Sequence, residues 1–173
     1  MNALSGAVRS SQVLSDPTAI SQRFQLAEQK TKYVCQTLRS ALPDYDTVMS
    51  TLSKNGAWWS SFRHKTHAIS QTPVEALAAF ATRSYTSDNP AELGILVAAY
   101  ARSSNQNHHL YAIVDSLVIS DSVYSATIEG MECLILLAKS YIDIGQPRRG
   151  WFMYRRGMAI AQLMVQVVSY ILV

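Results

Sequence analysis

The chain has 173 residues, 49% hydrophobic and 16% charged, which is one domain's worth of sequence with enough apolar material for a packed core. Fifteen Lys and Arg against twelve Asp and Glu leave a formal charge of +3, too slight an excess to argue for nucleic acid. The opening MNALSGAVRSSQVLS has no apolar run long enough for a signal peptide, so secreted, fibrous and multi-domain classes are excluded.

Residues 1–15 read as a flexible N-terminus, and 16–173 as a single helical domain. Seven glycines and five prolines are fewer than usual, which favours long helices. A first helix follows Pro17: Ile20, Phe24, Ala27, Val34, Leu38 and Ala41 recur at helical spacing, with Thr31 filling the gap. That seam also suits a dimerising coiled coil, and packing onto the chain's own core is the alternative. Tyr45, Val48, Met49 and Leu52 predict a short second helix after Pro43-Asp44. Thr72-Pro73-Val74-Glu75 reads as a capping box that opens a third, carrying Val74, Leu77, Ala78, Ala81 and Tyr85. Asn89-Pro90-Ala91-Glu92 repeats the arrangement for a fourth, carrying Leu93, Leu96, Val97 and Tyr100. Leu110, Ile113, Val114, Leu117 and Val118 make a fifth.

The sixth helix is predicted over Thr127 to Ile144. Its run Met131 to Ala138 is apolar almost all round, so it is expected to be the most buried element. Gly145 and Pro147 end it and begin a seventh, with Trp151, Tyr154, Met158, Ala161 and Val165 on one face. No run alternates with period two. The fold class is all-α, about seven helices in an irregular antiparallel bundle.

Chemistry-bearing constellations are sparse. The two cysteines, Cys35 and Cys133, are too few for a disulfide framework or a four-ligand zinc site and read as reduced thiols. His64 and His67 are three apart and His108 and His109 adjacent, without the companions a metal site needs. No nucleotide cradle or hydrolase motif is present. Glu129 and Glu132 share a helix face, which fits a polar stripe better than paired catalytic acids. Adjacent Trp58 and Trp59 cannot both face one core on a helix, so one is expected to pack while the other has a groove open to it; simple packing is favoured over a ligand groove. Arg148, Arg149, Arg155 and Arg156 alternate with Phe152, Met153, Ile160 and Leu163. That interleaving suits anchoring against other helices better than a DNA-contacting face. Arg148 or Arg155 is expected to pair with the acidic stripe Glu129, Glu132 and Asp143. The last sixteen residues, Met158 to Val173, carry no charge. Gln162 and Gln166 interrupt the run, which is short for a membrane span. An apolar side left uncovered there predicts self-association.

Four stretches carry a resemblance: V-D-S-L-V-I-S-D (Val114 to Asp121), T-I-E-G-M-E-C-L (Thr127 to Leu134), G-Q-P-R-R-G-W (Gly145 to Trp151) and Y-R-R-G-M-A-I-A-Q-L-M (Tyr154 to Met164). In this order they resemble the middle homology (regulatory) domain of fungal transcription factors of the binuclear zinc cluster class. The likeness is strongest over 111–164. Leu42 to Met49 and the T-P-V-E-A-L-A-A-F-A stretch resemble the family's earlier helices less distinctively. The residues matching the family pattern are Glu129, Gly130, Cys133, Gly145, Pro147, Arg148, Arg149, Trp151, Arg155, Arg156, Ala161 and Gln162.

The resemblance implies a nuclear, non-enzymatic domain for transcription regulation. It implies protein partners or intramolecular contacts with the rest of a regulator, no membrane, and no specific DNA binding by this chain. No cofactor is expected, since zinc belongs to the family's six-cysteine DNA-binding module, which this chain lacks. The family continues past A-Q with further helices, so the domain reads as incomplete at its C-terminus, a fragment of a regulator. A second reading, from the stretch Ala138 to Ala161, is a tetratricopeptide-like interaction scaffold; only one such unit is found where a stable stack needs about three.

Overall fold

A computed structural model describes residues 17–70 and 74–171, with side chains over 18–69 and 74–165. Among the described residues the chain is all helix and turn, in the order α1 (Pro17–Ser40), α2 (Tyr45–Asn55), α3 (Trp58–Ser70), α4 (Leu77–Tyr85), α5 (Pro90–Ser104), α6 (His109–Val114) running into a π-helical turn (Asp115–Ile119), α7 (Ser122–Ser125), α8 (Ile128–Asp143) and α9 (Pro147–Ile171). The expected all-α class stands. The helices α3 and α7 are additions to the seven anticipated. The expected flexible segment 1–15 lies outside the described residues.

The chain divides into two compact units, Met1–Tyr33 and Val34–Val173. In the first, α1 exposes Ile20, Phe24, Leu26 and Tyr33, and Lys32 pairs with Glu28 one turn back at 2.7 Å. The second unit begins where the α1 seam becomes buried, at Val34, Cys35 and Leu38. The seam predicted from Ile20 to Ala41 is therefore buried only in its C-terminal half.

Helix boundaries in the second unit follow side-chain caps. Asp44 accepts from the Thr47 N–H at 2.9 Å to start α2, Asn89 accepts from Ala91 at 2.9 Å to start α5, and Thr127 accepts from Gly130 at 2.9 Å to start α8. The predicted third helix is displaced. It begins at Leu77 rather than Val74, and its N-cap Ala76 offers no side-chain bond. Thr72 and Pro73 lie outside the described residues. Glu75 does not close a capping box: its carboxylate takes the Arg83 guanidinium at 2.8 Å, and its carbonyl takes the Trp59 indole N–H at 2.9 Å. Glu92 likewise turns to Arg83 and to the Ser87 hydroxyl.

The core is built on α5 and α8, which pack against each other, with α2, α4, α6 and α7 against α5 or α8. Every residue from Leu93 to Ala101 is buried, as are Pro90, Ala91 and Ser103. The helix α8 is central and buried, with Cys133, Leu134, Leu137 and Ala138 fully enclosed. Even so, α5 and not α8 is the most buried described element. Its small residues Gly94, Ala98, Ala99 and Ala101 carry the burial round faces that a count of large apolar residues leaves out.

The α8–α9 turn is set by Gly145, which adopts φ +78°, a left-handed conformation that costs glycine nothing. The Gln146 N–H reaches back to the Tyr141 carbonyl at 2.8 Å and the Gly145 N–H to Ile142 at 3.0 Å, which satisfies the last carbonyls of α8. Pro147 then starts α9. The face of α9 that packs is not the predicted one. Gly150, Met153 and Gly157 are buried, with Ile160 packed at the core edge. Trp151, Tyr154, Met158 and Val165 are exposed. At about 100° per residue the two faces are roughly a quarter-turn or more apart. The glycines decide it, because an ideal Cβ on Gly150 would stand 2.7 Å from the Ala138 carbonyl oxygen. Backbone on backbone, α9 lies closer to α8 than any large side chain would permit. The side chains of 166–173, on which part of the uncharged-tail reading fell, lie outside those described. Among the described residues no helix is long and apolar enough to cross a membrane.

Candidate functional site

Around the middle of α8 the fold gathers charge that the sequence scatters. Arg63 on α3 donates to Glu132 on α8 at 2.7 Å, and both side chains are almost wholly buried. The Arg63 guanidinium also lies over the Trp59 ring, 5.5 Å from its centroid. About three turns along the same stripe, Asp143 accepts from Arg102 on α5 at 2.6 Å and from Lys139 on its own helix. Burial works to raise the Asp143 pKa, but the hydrogen bonds from Lys139 and Arg102 hold it below the usual carboxylate range.

The expected pairing of Arg148 or Arg155 with this stripe is therefore overturned. Glu132 and Asp143 face α3 and α5, whereas α9 packs on Leu134, Ala138 and Ile142 across the helix. Arg148 lies over Phe152 at 5.8 Å and Arg155 over Trp151 at 4.9 Å, both within α9. The other two arginines lie near groups of other elements. Arg149 sits over the Tyr141 ring at 4.8 Å, and Arg149 and Arg156 lower the pKa of half-buried Asp115, though burial raises it by more.

The family-pattern positions resolve into structural roles. Glu129 opens α8 in its first turn. Gly130 takes the N-cap bond and lies so close to the α7 backbone that a Cβ would stand 2.8 Å from Ser125. Cys133 is fully buried against Gly94 of α5, and burial pushes its thiol pKa far up. Gly145 and Pro147 make the turn, while Ala161 is half-buried and Gln162 exposed. The acidic V-D-S-L-V-I-S-D stretch becomes the π-helical turn, closed by the Ser120 N–H on the Asp115 carbonyl at 2.8 Å, and its Asp121 caps α7.

The two tryptophans have different surroundings. Trp59 is core, its ring 4.9 Å from Phe80. Trp58 is half-buried at a groove, its indole N–H on the Ser103 hydroxyl at 3.2 Å and the Arg102 guanidinium 4.9 Å from its ring centroid. Two cavities share Trp58 and Arg102 as walls. One, of about 290 Å3, lies among α3, α5, α8 and α9 and is bounded by Phe62, Lys65, Ile135, Leu136, Lys139 and Tyr154 among others. The other, of about 210 Å3, is more polar and is bounded by Asn105, His108, Tyr111, Ser140 and Asp143. Burial raises the Tyr111 pKa there, against a hydrogen bond with Ser140. Sequence reading missed Arg63, Lys65 and Arg102 because each meets its surroundings from a distant helix. The one local signal was the spacing of Trp58, Trp59, Phe62 and Thr66, a helical face in an otherwise polar stretch.

His64 and His67 are both exposed, and among the described residues no three His, Cys, Asp or Glu side chains stand together as metal ligands.

Over 171 aligned positions the chain is 30% identical to the "Probable transcription factor gsfR1" of Penicillium aethiopicum. The match takes in 86% of this chain and 25% of that protein, so the chain spans about a quarter of the length of this relative. The chain is thus similar to a fungal transcription factor. No family model matches it, and no solved structure matches it.

Proposed function

We propose that the chain is a regulatory and interaction module of a fungal transcription factor, the middle homology type that its motifs resemble. The observation that carries this reading is the 30% identity running through 86% of the chain. The motif residues support it as fold-makers: they build the π-helical turn, the α8 start and the α8–α9 turn, and none forms a catalytic constellation. On this reading the chain acts in the nucleus, has no enzymatic activity and no cofactor, and leaves zinc to a DNA-binding module outside it.

The arginines of α9 support the absence of sequence reading by this chain. Three of the four guanidiniums lie over aromatic rings, and none of those contacts leaves a row of free forks on one polar face. The exposed Trp151, Tyr154, Met158 and Val165 give α9 an apolar face suited to the rest of the regulator, with self-association as its use when that part is absent. The tetratricopeptide alternative draws no support from the comparisons.

Fusion to a heterologous DNA-binding domain and an activation domain tests the reading. A change in reporter output relative to the same fusion without the chain is expected, with the chain alone showing no preference for operator over scrambled DNA at physiological salt. Unchanged output in both activation and repression formats would overturn it.

A further inference from the structure

The 290 Å3 cavity beside α8 combines an apolar interior with a cationic rim. Trp58, Phe62, Ile135 and Leu136 form its walls, and Lys65, Lys139 and Arg102 bring positive charge to it. Its volume sits at the lower end of the range for small-molecule sites, and apolar walls with a few placed polar groups are the usual composition of such sites. Two of the cations, Arg102 and Lys139, share a single carboxylate, Asp143, which is not among the residues lining this cavity. Lys65, an exposed residue at the rim, has no ion pair among the described residues. Three cations are therefore set against one anion, and the imbalance falls on the cavity side. Two of the walls are aromatic: the Trp58 and Phe62 ring centroids stand 6.1 Å apart with the planes tilted by 60°, and the Arg102 guanidinium lies over the Trp58 ring at 4.9 Å.

We propose that this cavity is a binding site for a compact aromatic carboxylate, its ring against Trp58, Phe62 and Leu136 and its carboxylate at Lys65 and Lys139. A carboxylate there completes the charge balance that Asp143 leaves unfinished, and a ring displaces water from apolar walls. A neutral ring gains only the second of these, and an ammonium opposes the first. The proposal concerns binding alone and stands apart from any role in transcription.

The full 173-residue chain, titrated in a calorimeter with 2-naphthoate, 2-naphthylmethanol and 2-naphthylmethylammonium, tests it. Saturable binding of one equivalent of 2-naphthoate is expected, about tenfold tighter than the neutral alcohol, which is a difference of about 1.4 kcal/mol. The ammonium is expected not to bind. Lys65→Gln should weaken 2-naphthoate by about two- to fivefold, the size of one exposed ion pair, and leave the alcohol unchanged. Ser61→Trp, a substitution at an exposed rim position of α3, should block both. These two sites are exposed, so the fold should survive either change, as circular dichroism would record. Absence of saturable 2-naphthoate binding, equal uptake of all three probes, or wild-type affinity for 2-naphthoate in either variant would overturn the assignment.

Discussion

The Arg63 guanidinium and the Glu132 carboxylate, 69 positions apart, meet at 2.7 Å with about 95% of each side chain out of solvent. This pair ties α3 to the middle of α8. Two charges so enclosed gain little over a well-packed apolar pair, but removing one leaves the other uncompensated. Arg63→Ala should therefore cost about 3–5 kcal/mol in a denaturant melt. The double change Arg63→Met with Glu132→Leu should cost less than Arg63→Ala alone. A single-mutant loss under about 1 kcal/mol would mean that water reaches Glu132.

The face of α9 gives a second test. Met153 is 7% exposed and Met158 is 61% exposed, five positions on. Met153→Ala should cost about 2 kcal/mol or more, as core truncations do. Met158→Ala should stay within about 0.5 kcal/mol. The reverse order, read from thermal or urea unfolding, would restore the face centred on Trp151.

The contrast shows what the sequence made legible. Three helix starts were placed to within a residue or two, α2 after Pro43-Asp44, α5 at Asn89-Pro90 and α8 near Thr127, whereas the Thr72–Glu75 signal put the start of α4 too early. The segment Trp58–Ser70 carries three serines, two histidines and no N-cap signal, so its helix was hidden, and with it Arg63 and Lys65. The α9 seam was misjudged because hydrophobic periodicity weighs large side chains. Here the contact is made by Gly150 and Gly157, which carry none. That Trp58 and Trp59 would not share one environment was legible from adjacency, since neighbours on a helix point about 100° apart; which of them meets the groove was not. The partners of Glu132 and Asp143 were not, because long-range pairing depends on which helices surround α8, and no local pattern encodes that.

Asp115 supplies a pH dependence. Burial raises its pKa above the ordinary carboxylate value of about 3.9, with Arg149 and Arg156 opposing. A raised carboxylate pKa means that the folded state holds the proton more tightly than the unfolded chain. Below the unfolded value both states are protonated and nothing is lost. As pH rises from there through the folded value, the unfolded chain loses its proton first and stability falls. Asp115→Asn mimics the protonated form, so it should raise Tm at pH 7 and leave Tm nearly unchanged near pH 3. Destabilisation by Asp115→Asn at pH 7 would show that the arginines outweigh burial.

The two thiols should be inert in the folded protein. Cys35 and Cys133 are both buried, and burial raises the pKa of each, that of Cys133 most. The thiolate is the reactive form, so an alkylating reagent at pH 8 should modify neither at an appreciable rate without denaturant. Cys133 should react only as fast as the chain unfolds, and its rate should follow the Tm order of the variants above. Prompt native-state modification of Cys133, located by peptide mass, would place α8 nearer the surface than Gly94 and Val118 allow.

The glycines of α9 separate two effects that usually travel together. Alanine is the better helix former by about 1 kcal/mol, so Gly→Ala in a helix interior should stabilise where a methyl group fits. At Gly150 it does not fit: the added carbon would lie 2.7 Å from the Ala138 carbonyl oxygen and 2.6 Å from Ile142 Cγ1. The first of these is backbone and can yield only if α9 moves off α8. Overpacking of that kind costs about 1–3 kcal/mol, which exceeds the propensity gain. At Gly157 the nearest atom is Leu134 Cδ2 at 2.9 Å, the far end of a side chain that can rotate aside. Gly157→Ala should therefore be at least as stable as the parent chain, and Gly150→Ala should be less stable by about 1 kcal/mol or more. Equal effects of the two substitutions in a denaturant melt would mean that the α8–α9 seam is looser at Gly150 than the backbone contact with Ala138 requires.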